Sequence, residues 1–454
     1  MKKTYASLLS ILTIFLFITS SLTSVGYNIE KVKKERNEIL SSADITIPDD
    51  YQTIQEAVNN ANKGETILVR SGVYKENIVV DVEGLSIIGE NKFNTIIDAD
   101  KKSRDGMNIS APNVTIQGFT FTNALSEEII WDLSGLRIYS ENITVDGNRF
   151  ENNVLGLTVM ASCYNSTITN NSFIGDGIFL GQYQKIHILK EQDFYHKIEN
   201  NSVNGRPLYY FSDSKDFEVP VDGGQYIIVN CSNVTVKDLY ISNTDFSVIL
   251  AYCDNCTIEN ITVMNTNGEV ILFNSDYNIV QNNIMIENLH GACLDYFSDY
   301  NIIRNNYASD NLIGLSAVTS CSYNVFVNNT VENNILSGIH ISTFCVEDQH
   351  HNQIINNTVI NSEKYGISLG LNSYNNTIES NIINKCGIGI FLNKSPNNLI
   401  QKNTIKDNEI QALNLNSNKN TWNQNYWNRP RVLPKIVLGI PYINIDWHPA
   451  KQPY

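Results

Sequence analysis

The heptapeptide NIVQNNI, from Asn278 to Ile284, decides the fold because variants of it recur along the chain. It returns as NIIRNNY from Asn301 and as NVFVNNTV from Asn324, and most successive copies are 22 or 23 residues apart. A fixed period of this length is the sequence signature of a solenoid, in which each repeat is one stacked unit. Further copies begin at Asn113, Asn142, Asn165, Asn233, Asn255, Asn352, Asn375 and Asn398.

The apolar residues within a unit alternate with other residues, as at Ile284 and Ile286 or at Val270 and Leu272. This period of two indicates β-strands rather than helix. At about 3.3 Å per residue, one unit traces a loop of roughly 75 Å, which is enough for three short strands and three corners. Parallel stacking at about 4.8 Å lets every strand pair with the coils above and below it. The sequence therefore predicts an all-β fold, a single-stranded right-handed parallel β-helix with 22–23 residues per coil.

One set of asparagines falls at the same point of successive coils. Their amides can stack and hydrogen-bond along the solenoid axis, and Asn tolerates the left-handed backbone of a sharp corner. We interpret the set as a buried corner ladder rather than a row of ligand-binding groups. Its members are Asn283, Asn306, Asn329, Asn357, Asn381 and Asn403.

The N-terminus has a different character from the repeats. Lys2 and Lys3 precede an apolar run, Leu8 to Leu22, and then small polar residues, which is the form of a secretory signal at residues 1–26. The run is short for a membrane span of about 20 residues, and the alternative is an uncleaved N-terminal anchor. The charge-rich residues 27–46 are interpreted as a linker.

Residues 47–84 are predicted to form an N-terminal helical cap and the first coil. Ile54, Ala57, Val58 and Ala61 fall on one helical face. A helix in this place would cover the open edge of the first coil, which otherwise invites aggregation.

The β-helix itself is assigned to residues 85–420, interrupted by excursions at 125–135 and 175–226. Residues 421–454 are rich in aromatic residues and proline, and because proline prevents further strand pairing we interpret them as a C-terminal cap. We expect one domain.

Three parts of the chain resemble known families. Residues 53–78, TIQEAVNNANKGETILVRSGVYKENI, with LSIIGE from Leu85, resemble the opening of the pectin-lyase-like β-helix superfamily. The segment from Asn204 to Val236, which begins NGRPLYYF, resembles NosD-like proteins, an exported β-helix group also described as carbohydrate-binding and sugar-hydrolase repeat domains. The final DWHPAKQPY is similar to ends seen in that group. The resemblance covers nearly the whole mature chain and implies the same fold, but fold alone does not specify function.

The resemblance also implies certain chemistries. NosD-like proteins are linked with the maturation of copper enzymes. Enzymes of the superfamily use carboxylates, Arg or Lys on one strand face, often with Ca²⁺ in lyases, or paired acids in glycosidases. No carboxylate pair recurs on one outward face of the aligned repeats.

Aromatic and acidic residues of the two excursions are the ligand-binding candidates. They are Trp131, Asp132, Tyr209, Tyr210 and Asp213. Flat apolar rings beside carboxylates suit stacking on sugar rings and bonding to hydroxyls, and loops on a rigid scaffold commonly carry binding. The alternative is that these aromatic residues only fasten the excursions to the solenoid wall.

The aligned repeats place Cys293, Ser316 and His340 at equivalent outward positions of three coils, about 4.8 Å apart. Asp295 follows two residues after Cys293. A Ser–His or Asp–His contact could therefore form, and Asp295, Ser316 and His340 are the catalytic candidates. The alternative is a mixed row of solvent-facing side chains.

The metal candidates are His350 and His351, in the insertion that also contains Asp348. The alternative is a solvated loop. Among the eight cysteines, the single CxxC at Cys253 lacks a second CxxC or a spaced His pair, so no zinc site is predicted. We expect a buried ladder of free thiols, with a Cys231–Cys253 bridge between adjacent coils as the alternative.

A net charge of −15 disfavours nucleic acid and acidic polysaccharides unless cations bridge them. We therefore expect a secreted, extracellular or periplasmic monomer that binds a polysaccharide or other glycan, with no transmembrane segment beyond the signal. No cofactor is expected, although Ca²⁺ is left open. The favoured function is a non-catalytic structural or carbohydrate-binding role at the cell surface. The alternatives are a polysaccharide lyase or glycoside hydrolase and, less favoured, a NosD-like accessory of copper-site maturation.

Overall fold

The computed structural model describes residues 43–126, 132–182, 189–268, 270–343 and 348–454. The predicted fold class is confirmed: the chain is a parallel β-solenoid with very little helix. The helical elements are α1 (Ile54–Asn60) and the 3₁₀ helix η1 (Glu191–Phe194). The predicted signal at residues 1–26 lies outside the described residues, as does most of the predicted linker.

The strands form two solenoid segments, each with three parallel sheets. Sheets A, B and C make up the N-terminal segment, and sheets D, E and F make up the C-terminal segment. Sheet G is a two-stranded addition to the second segment.

The strands of sheet A are β1 (Ile45–Ile47), β2 (Thr66–Val69), β5 (Ser86–Gly89), β8 (Thr115–Gln117), β11 (Thr144–Asp146), β14 (Thr167–Thr169) and β17 (Lys197–Glu199). Those of sheet B are β3 (Gly72–Tyr74), β6 (Thr95–Asp98), β9 (Thr120–Thr122), β12 (Arg149–Glu151), β15 (Ser172–Ile174) and β18 (Ser202–Val203). Those of sheet C are β4 (Ile78–Val80), β7 (Met107–Ile109), β10 (Ser134–Ile138), β13 (Leu155–Met160) and β16 (Ile178–Gln182).

The strands of sheet D are β19 (Arg206–Ser212), β21 (Gln225–Val229), β24 (Val248–Ala251), β27 (Val270–Phe273), β30 (His290–Asp295), β33 (Ile313–Val318), β36 (Ser337–Ser342), β40 (Tyr365–Leu369), β44 (Ile388–Asn393), β47 (Ile410–Leu415) and β50 (Lys435–Ile440). Those of sheet E are β20 (Lys215–Glu218), β22 (Ser232–Lys237), β25 (Thr257–Glu259), β28 (Ile279–Gln281), β31 (Ile302–Arg304), β34 (Val325–Val327), β38 (Gln353–Ile355), β42 (Thr377–Glu379), β45 (Leu399–Gln401), β48 (Thr421–Asn423) and β51 (Asn444–Asp446).

The strands of sheet F are β23 (Tyr240–Ser242), β26 (Thr262–Met264), β29 (Ile284–Ile286), β32 (Tyr307–Ser309), β35 (Thr330–Glu332), β39 (Thr358–Ile360), β43 (Ile382–Asn384), β46 (Thr404–Lys406) and β49 (Tyr426–Trp427). Sheet G contains β37 (Gln349–His350) and β41 (Ser373–Tyr374).

Short strands with one inward residue build the core. In sheet A, Ile116 pairs with Val145, which pairs with Ile168, and all three side chains are buried inside the coil. Each such row of β-branched residues removes apolar area from water at about 25 cal/mol per Å². Helix α1 begins after Thr53, whose hydroxyl accepts a hydrogen bond from the Glu56 N–H, and it packs against β1, β2 and β4.

The Asn ladder is confirmed. The Asn283 N–H donates to Asn306 Oδ1 at 3.0 Å, and the Asn306 N–H donates to Asn329 Oδ1 at 3.0 Å. The expectation that these asparagines take the left-handed backbone themselves is wrong. The preceding exposed residues take it, as at Asn282 (φ 57°) and Asn305 (φ 55°), because a corner residue that turns outward leaves the next amide facing the interior.

The two segments meet at a β-hairpin. Strand β18 pairs antiparallel with β19 through Val203 and Arg206, so the connection is the two residues Asn204 and Gly205. Both have positive φ, 51° and 77°, as a two-residue hairpin turn requires. Sheets A and B therefore end here, and sheet D starts from the hairpin.

The cysteine thiols of the described residues are free and buried. They include Cys231 and Cys253, for which a bridge was the alternative. Among the described residues, no helix is long and apolar enough to cross a membrane.

Candidate functional site

A polar cleft lies where the two solenoid segments meet. It encloses about 700 Å³, within the range of about 300–1,000 Å³ that small-ligand sites occupy. Its wall is made by the turns after β9, β12 and β15 on one side and by those after β23 and β26 on the other. The lining residues are Thr122, Asn123, Glu151, Asn152, Asn153, Ile174, Gly175, Asp176, Asn243, Thr244, Asn265 and Asn267.

Side chains of the second segment hold the two walls of the cleft together through hydrogen bonds to backbone groups of the first segment. The Gln225 amide donates to the Ile178 carbonyl at 2.7 Å and accepts from the Ile178 N–H at 3.0 Å, so it replaces the next strand of sheet C. One oxygen of Asp245, Oδ2, accepts from the Gly156 N–H at 2.7 Å and the Gly177 N–H at 2.8 Å. These bonds fix the relative position of the two walls.

Amides dominate the accessible surface of the cleft. Asn152 Nδ2 donates to Asn123 Oδ1 at 2.5 Å, and Asn265 Nδ2 donates to Asn243 Oδ1 at 2.5 Å, so each wall carries a pair of bonded amides. Asn267 Nδ2 donates across the junction to the Val154 carbonyl at 2.6 Å. An amide has two donors and an acceptor, so each pair keeps free valences that hydroxyl groups can use.

Two buried carboxyl groups lie behind these amides. Burial and the neighbouring Asp245 raise the pKa of Asp176 well above its usual range. Burial raises the pKa of Asp245 to about 7, although the backbone N–H groups of Gly156 and Gly177, which donate to its carboxylate, act in the opposite direction. Asn153 Nδ2 donates to Asp176 Oδ2 at 2.6 Å. The base of the cleft therefore holds protons at pH values where an exposed aspartate would be ionised.

A smaller cavity of about 290 Å³ continues from the cleft at Asn243. It is lined by Asn204, Arg206 and Tyr240, among others. The Arg206 guanidinium donates to the Tyr240 carbonyl at 2.6 Å, and the Tyr240 ring is 55% exposed. An exposed ring thus stands at the end of a groove of hydrogen-bonding groups.

The predicted ligand-binding residues do not form one group. Neighbouring strand residues point to opposite faces, so Tyr209 packs over the end of the second core and Tyr210 lies on the outer face of sheet D. Tyr209 Oη donates to Asp222 Oδ1 at 2.8 Å, and Tyr210 Oη donates to the Phe194 carbonyl at 3.0 Å. The Asp213 carboxylate accepts from Tyr195 Oη at 2.5 Å.

Asp132 lies on the first segment, where it forms an ion pair with the buried Arg137 at 2.9 Å. Arg137 also forms an ion pair with Asp105. Trp131 lies outside the described residues. Tyr210 thus lies on β19 and Asp213 directly follows that strand, whereas Asp132 lies on the other segment.

The catalytic candidates lie in the predicted register on sheet D, with Cys293, Ser316, His340 and Ser368 in one row. His340 Nδ1 contacts Ser368 Oγ at 2.7 Å. Ser316 Oγ contacts Nδ1 of His290, a further histidine on the neighbouring strand, at 3.1 Å. The Ser316 hydroxyl is fully buried.

Burial changes the ionisation of this row. It lowers the pKa of His340 to about 4 and raises that of Asp295 to about 6. Burial and the nearby His340 lower the pKa of His290 to about 4. A neutral imidazole bonded to a serine hydroxyl is the arrangement of an activated nucleophile, but burial of the hydroxyls of Ser316 and Ser368 blocks a polymeric substrate from reaching them.

The metal candidates lie at an exposed corner beside sheet G. His350 Nδ1 and His351 Nδ1 are 3.0 Å apart. The φ of +57° at His351 breaks the alternation of a strand, so that consecutive imidazoles converge. The His351 ring stacks on Tyr323 at 5.0 Å, and Tyr374 Oη donates to Asp348 Oδ2 at 3.1 Å beside His350.

Stacked coils and corner ladders define the chain as a parallel β-helix protein. Its residues 210–345 and 330–443 match the family model described as periplasmic copper-binding protein (NosD). The two matches together span more than half of the chain, and the chain belongs to this family.

Other similarities are more distant. A probable pectinesterase/pectinesterase inhibitor 6 of Arabidopsis thaliana is 29% identical over 114 residues, which cover 21% of this chain and 21% of that protein. The chain thus spans about a fifth of that relative's length.

Two solved structures are also similar to this chain. The A-module of the Azotobacter vinelandii mannuronan C-5 epimerase AlgE6 matches with a TM-score of 0.40 and 14% identity, over 86% of this chain and all of that one. The Streptococcus pneumoniae surface adhesin PfbA matches with a TM-score of 0.37 and 11% identity, over 89% and 98%.

The family description raises the question of a copper site. In the described part of the chain, no group of three or more His, Cys, Asp and Glu side chains could hold a metal ion. His350 and His351 nevertheless offer two imidazole nitrogens, a donor type that suits copper. Two nitrogens bound to one metal at about 2.0 Å lie about 2.8–3.3 Å apart, so the 3.0 Å separation fits a shared ion.

The sequence pattern does not predict the cleft. Its amide pairs arise from corner residues such as Asn152 and Asn265, which the repeat presents as ordinary corner positions. The one available signal was Asn204-Gly205, a typical two-residue hairpin sequence that marks the change of segment.

Proposed function

We propose that the protein is an exported, non-catalytic β-helix that binds a neutral polysaccharide in the cleft between its two segments. The observation that carries this proposal is the cleft of about 700 Å³ with its bonded amide pairs. The family description, periplasmic copper-binding protein, supports an extracytoplasmic location.

The chemistry of the cleft favours uncharged sugars. Sugar hydroxyls both donate and accept, as do the amides of Asn123, Asn152, Asn243 and Asn265. The net charge of −15 repels acidic polysaccharides. The half-exposed ring of Tyr240 offers an apolar face at the end of the groove, where a sugar ring can stack.

The test is a glycan array probed with the protein and with a triple variant, Asn152→Gly, Asn243→Gly and Asn265→Gly. All three residues have positive φ, between 51° and 59°, so glycine removes the amide without backbone strain. The proposal predicts retention of a neutral glycan by the natural protein, without release of shortened products, and loss of retention in the variant. Parallel arrays with Ca²⁺ and with EDTA show whether the ion takes part.

A matched control carries Asn282→Gly, Asn305→Gly and Asn328→Gly, whose φ values of 55–57° are similar but which lie at another corner. It should retain the glycan as the natural protein does. Equal retention by both triple variants would place binding elsewhere, and release of shortened products would make the protein an enzyme instead.

A second candidate function is copper binding at His350 and His351. The close approach of the two Nδ1 atoms and the copper-binding description of the family favour it. The two imidazoles would hold the ion, and solvent or an outside ligand would complete its coordination.

Copper(II) titration followed by electron paramagnetic resonance tests this function. We expect nitrogen hyperfine structure in the natural protein and its loss in His351→Asn, since Asn tolerates the left-handed backbone at this position. The exposed His448→Asn is the control. An unchanged spectrum in His351→Asn would refute the assignment.

We also propose that helix α1 is the N-terminal cap. Its buried Ile54, Ala57 and Val58 face the first coil. A polar Ala57→Ser change should lower the free energy of unfolding by roughly 1–3 kcal/mol, because it buries a hydroxyl. An unchanged urea midpoint would contradict this role.

A further inference from the structure

The last two strands carry an exposed apolar surface, here named the C-terminal apolar face. It consists of Ile436, Leu438 and Ile440 on β50 and of Ile443 and Trp447 on either side of β51. These five side chains are between 57% and 74% exposed. Soluble proteins seldom expose a contiguous group of this kind unless it binds something.

The face follows from the strand alternation rather than from disorder of the chain end. Between its members, Val437 is 2% exposed and Asp446 is fully buried, so inward and outward residues alternate on both strands. Strand β50 pairs with β47 on one side and antiparallel with β51 on the other. Both backbone edges are therefore used, and the side-chain face remains.

The segment that carries the face has a net charge opposite in sign to that of the whole chain. Residues 419–454 contain five Lys or Arg and a single acidic residue, Asp446, which is buried. The local side-chain charge of +4 contrasts with −15 for the chain. The cations are Lys419, Arg429, Arg431, Lys435 and Lys451.

Apolar side chains on a segment of net positive charge select the occupant, although Glu409 of the preceding coil lies beside Ile436 and Leu438. A second copy using the same face would bring two cationic ends together, which like-charge repulsion opposes. A surface with an apolar interior and anionic groups at its boundary satisfies both features, and an exposed Trp suits that boundary. We propose that the C-terminal apolar face attaches the protein peripherally to a membrane of anionic lipids.

Sedimentation with lipid vesicles tests the proposal, using the full chain with phosphatidylcholine vesicles and with vesicles that contain phosphatidylglycerol. We expect binding to the anionic vesicles only, weakened by about fivefold for each cation removed, as in Arg429→Ser or Lys451→Ser. The double variant Ile436→Thr/Leu438→Thr, which puts β-branched Thr at both strand positions, should weaken binding by at least about tenfold.

The control variant is Val73→Thr/Phe93→Ser, which removes exposed apolar residues near the other end of the chain. It should bind vesicles as the natural protein does, and circular dichroism should show that both double variants are folded. Failure to bind anionic vesicles, or equal binding by the Ile436→Thr/Leu438→Thr variant, would overturn the proposal. A concentration-dependent dimer that this same variant abolishes would overturn it in favour of a second copy. Glycan retention by the cleft is measured separately, so either proposal can fail alone.

Discussion

Replacement of Asp245 by Asn should stabilise the protein at neutral pH. Asp245 Oδ2 accepts two of the backbone bonds that tie the segments together, and the side-chain carbonyl of Asn can accept the same two bonds. The change therefore preserves the junction geometry while it removes a group that ionises inside the protein.

The magnitude follows from the pKa difference. The pKa of Asp245 is raised from 3.8 to about 7 by burial. A raised carboxyl pKa contributes stability that is present at low pH and is lost as the pH rises through the folded value. About three pKa units correspond to about 4 kcal/mol, so the variant should match the natural protein near pH 4 and exceed it by up to about 4 kcal/mol at pH 8.

Urea unfolding at pH 4, 6 and 8, followed by tryptophan fluorescence, provides the measurement. The exposed Asp238→Asn is the control, because Asp238 lies outside the junction and Asn tolerates the positive φ at that position. A variant that is less stable at pH 8, or one whose advantage is the same at all three pH values, would refute the reasoning.

Three further predictions concern the ladder, the metal corner and the histidine row. Asn329→Ala removes the acceptor of the Asn306 N–H and the donor to the Ile303 carbonyl, and it should cost roughly 2–5 kcal/mol in urea unfolding; a loss no larger than that of the exposed Asn328→Gly would contradict the ladder's role. His350→Gln should weaken copper(II) binding at least tenfold in a competition titration, because one imidazole cannot replace two; unchanged affinity would exclude the pair. The pKa of His340 is lowered to about 4, so its contribution to stability is present above pH 6.5 and is lost as the pH falls through 4. Between pH 6.5 and pH 4, the free energy of unfolding of the His340→Asn variant should therefore fall by about 3 kcal/mol less than that of the natural protein. An identical acid transition would contradict this.

The repeat makes the fold and the register predictable from sequence. Asn283 and Asn306 bond each other because the coil length is constant, and the same constancy aligns Cys293, Ser316 and His340. Each of these relations joins neighbouring coils, which the period records directly.

The junction between the two segments leaves no periodic signal in the sequence. Gly177 and Asp245 are 68 residues apart and belong to different segments, so no periodic signal relates them. Gln225 looks like any strand residue, although its amide completes the edge of sheet C at Ile178. The aromatic side chains at Tyr209 and Tyr210 suggested a sugar platform, and alternation along β19 sends them to opposite faces. The cleft thus depends on contacts that only the folded chain creates.

Hydrogen–deuterium exchange with and without a retained neutral glycan tests the central claim most directly. The proposed site predicts slower exchange at residues 122–123, 151–153, 174–176, 243–244 and 265–267, with no change on sheet D around Ser316. Protection confined to sheet D, or no protection in the cleft when the glycan is bound, would contradict it.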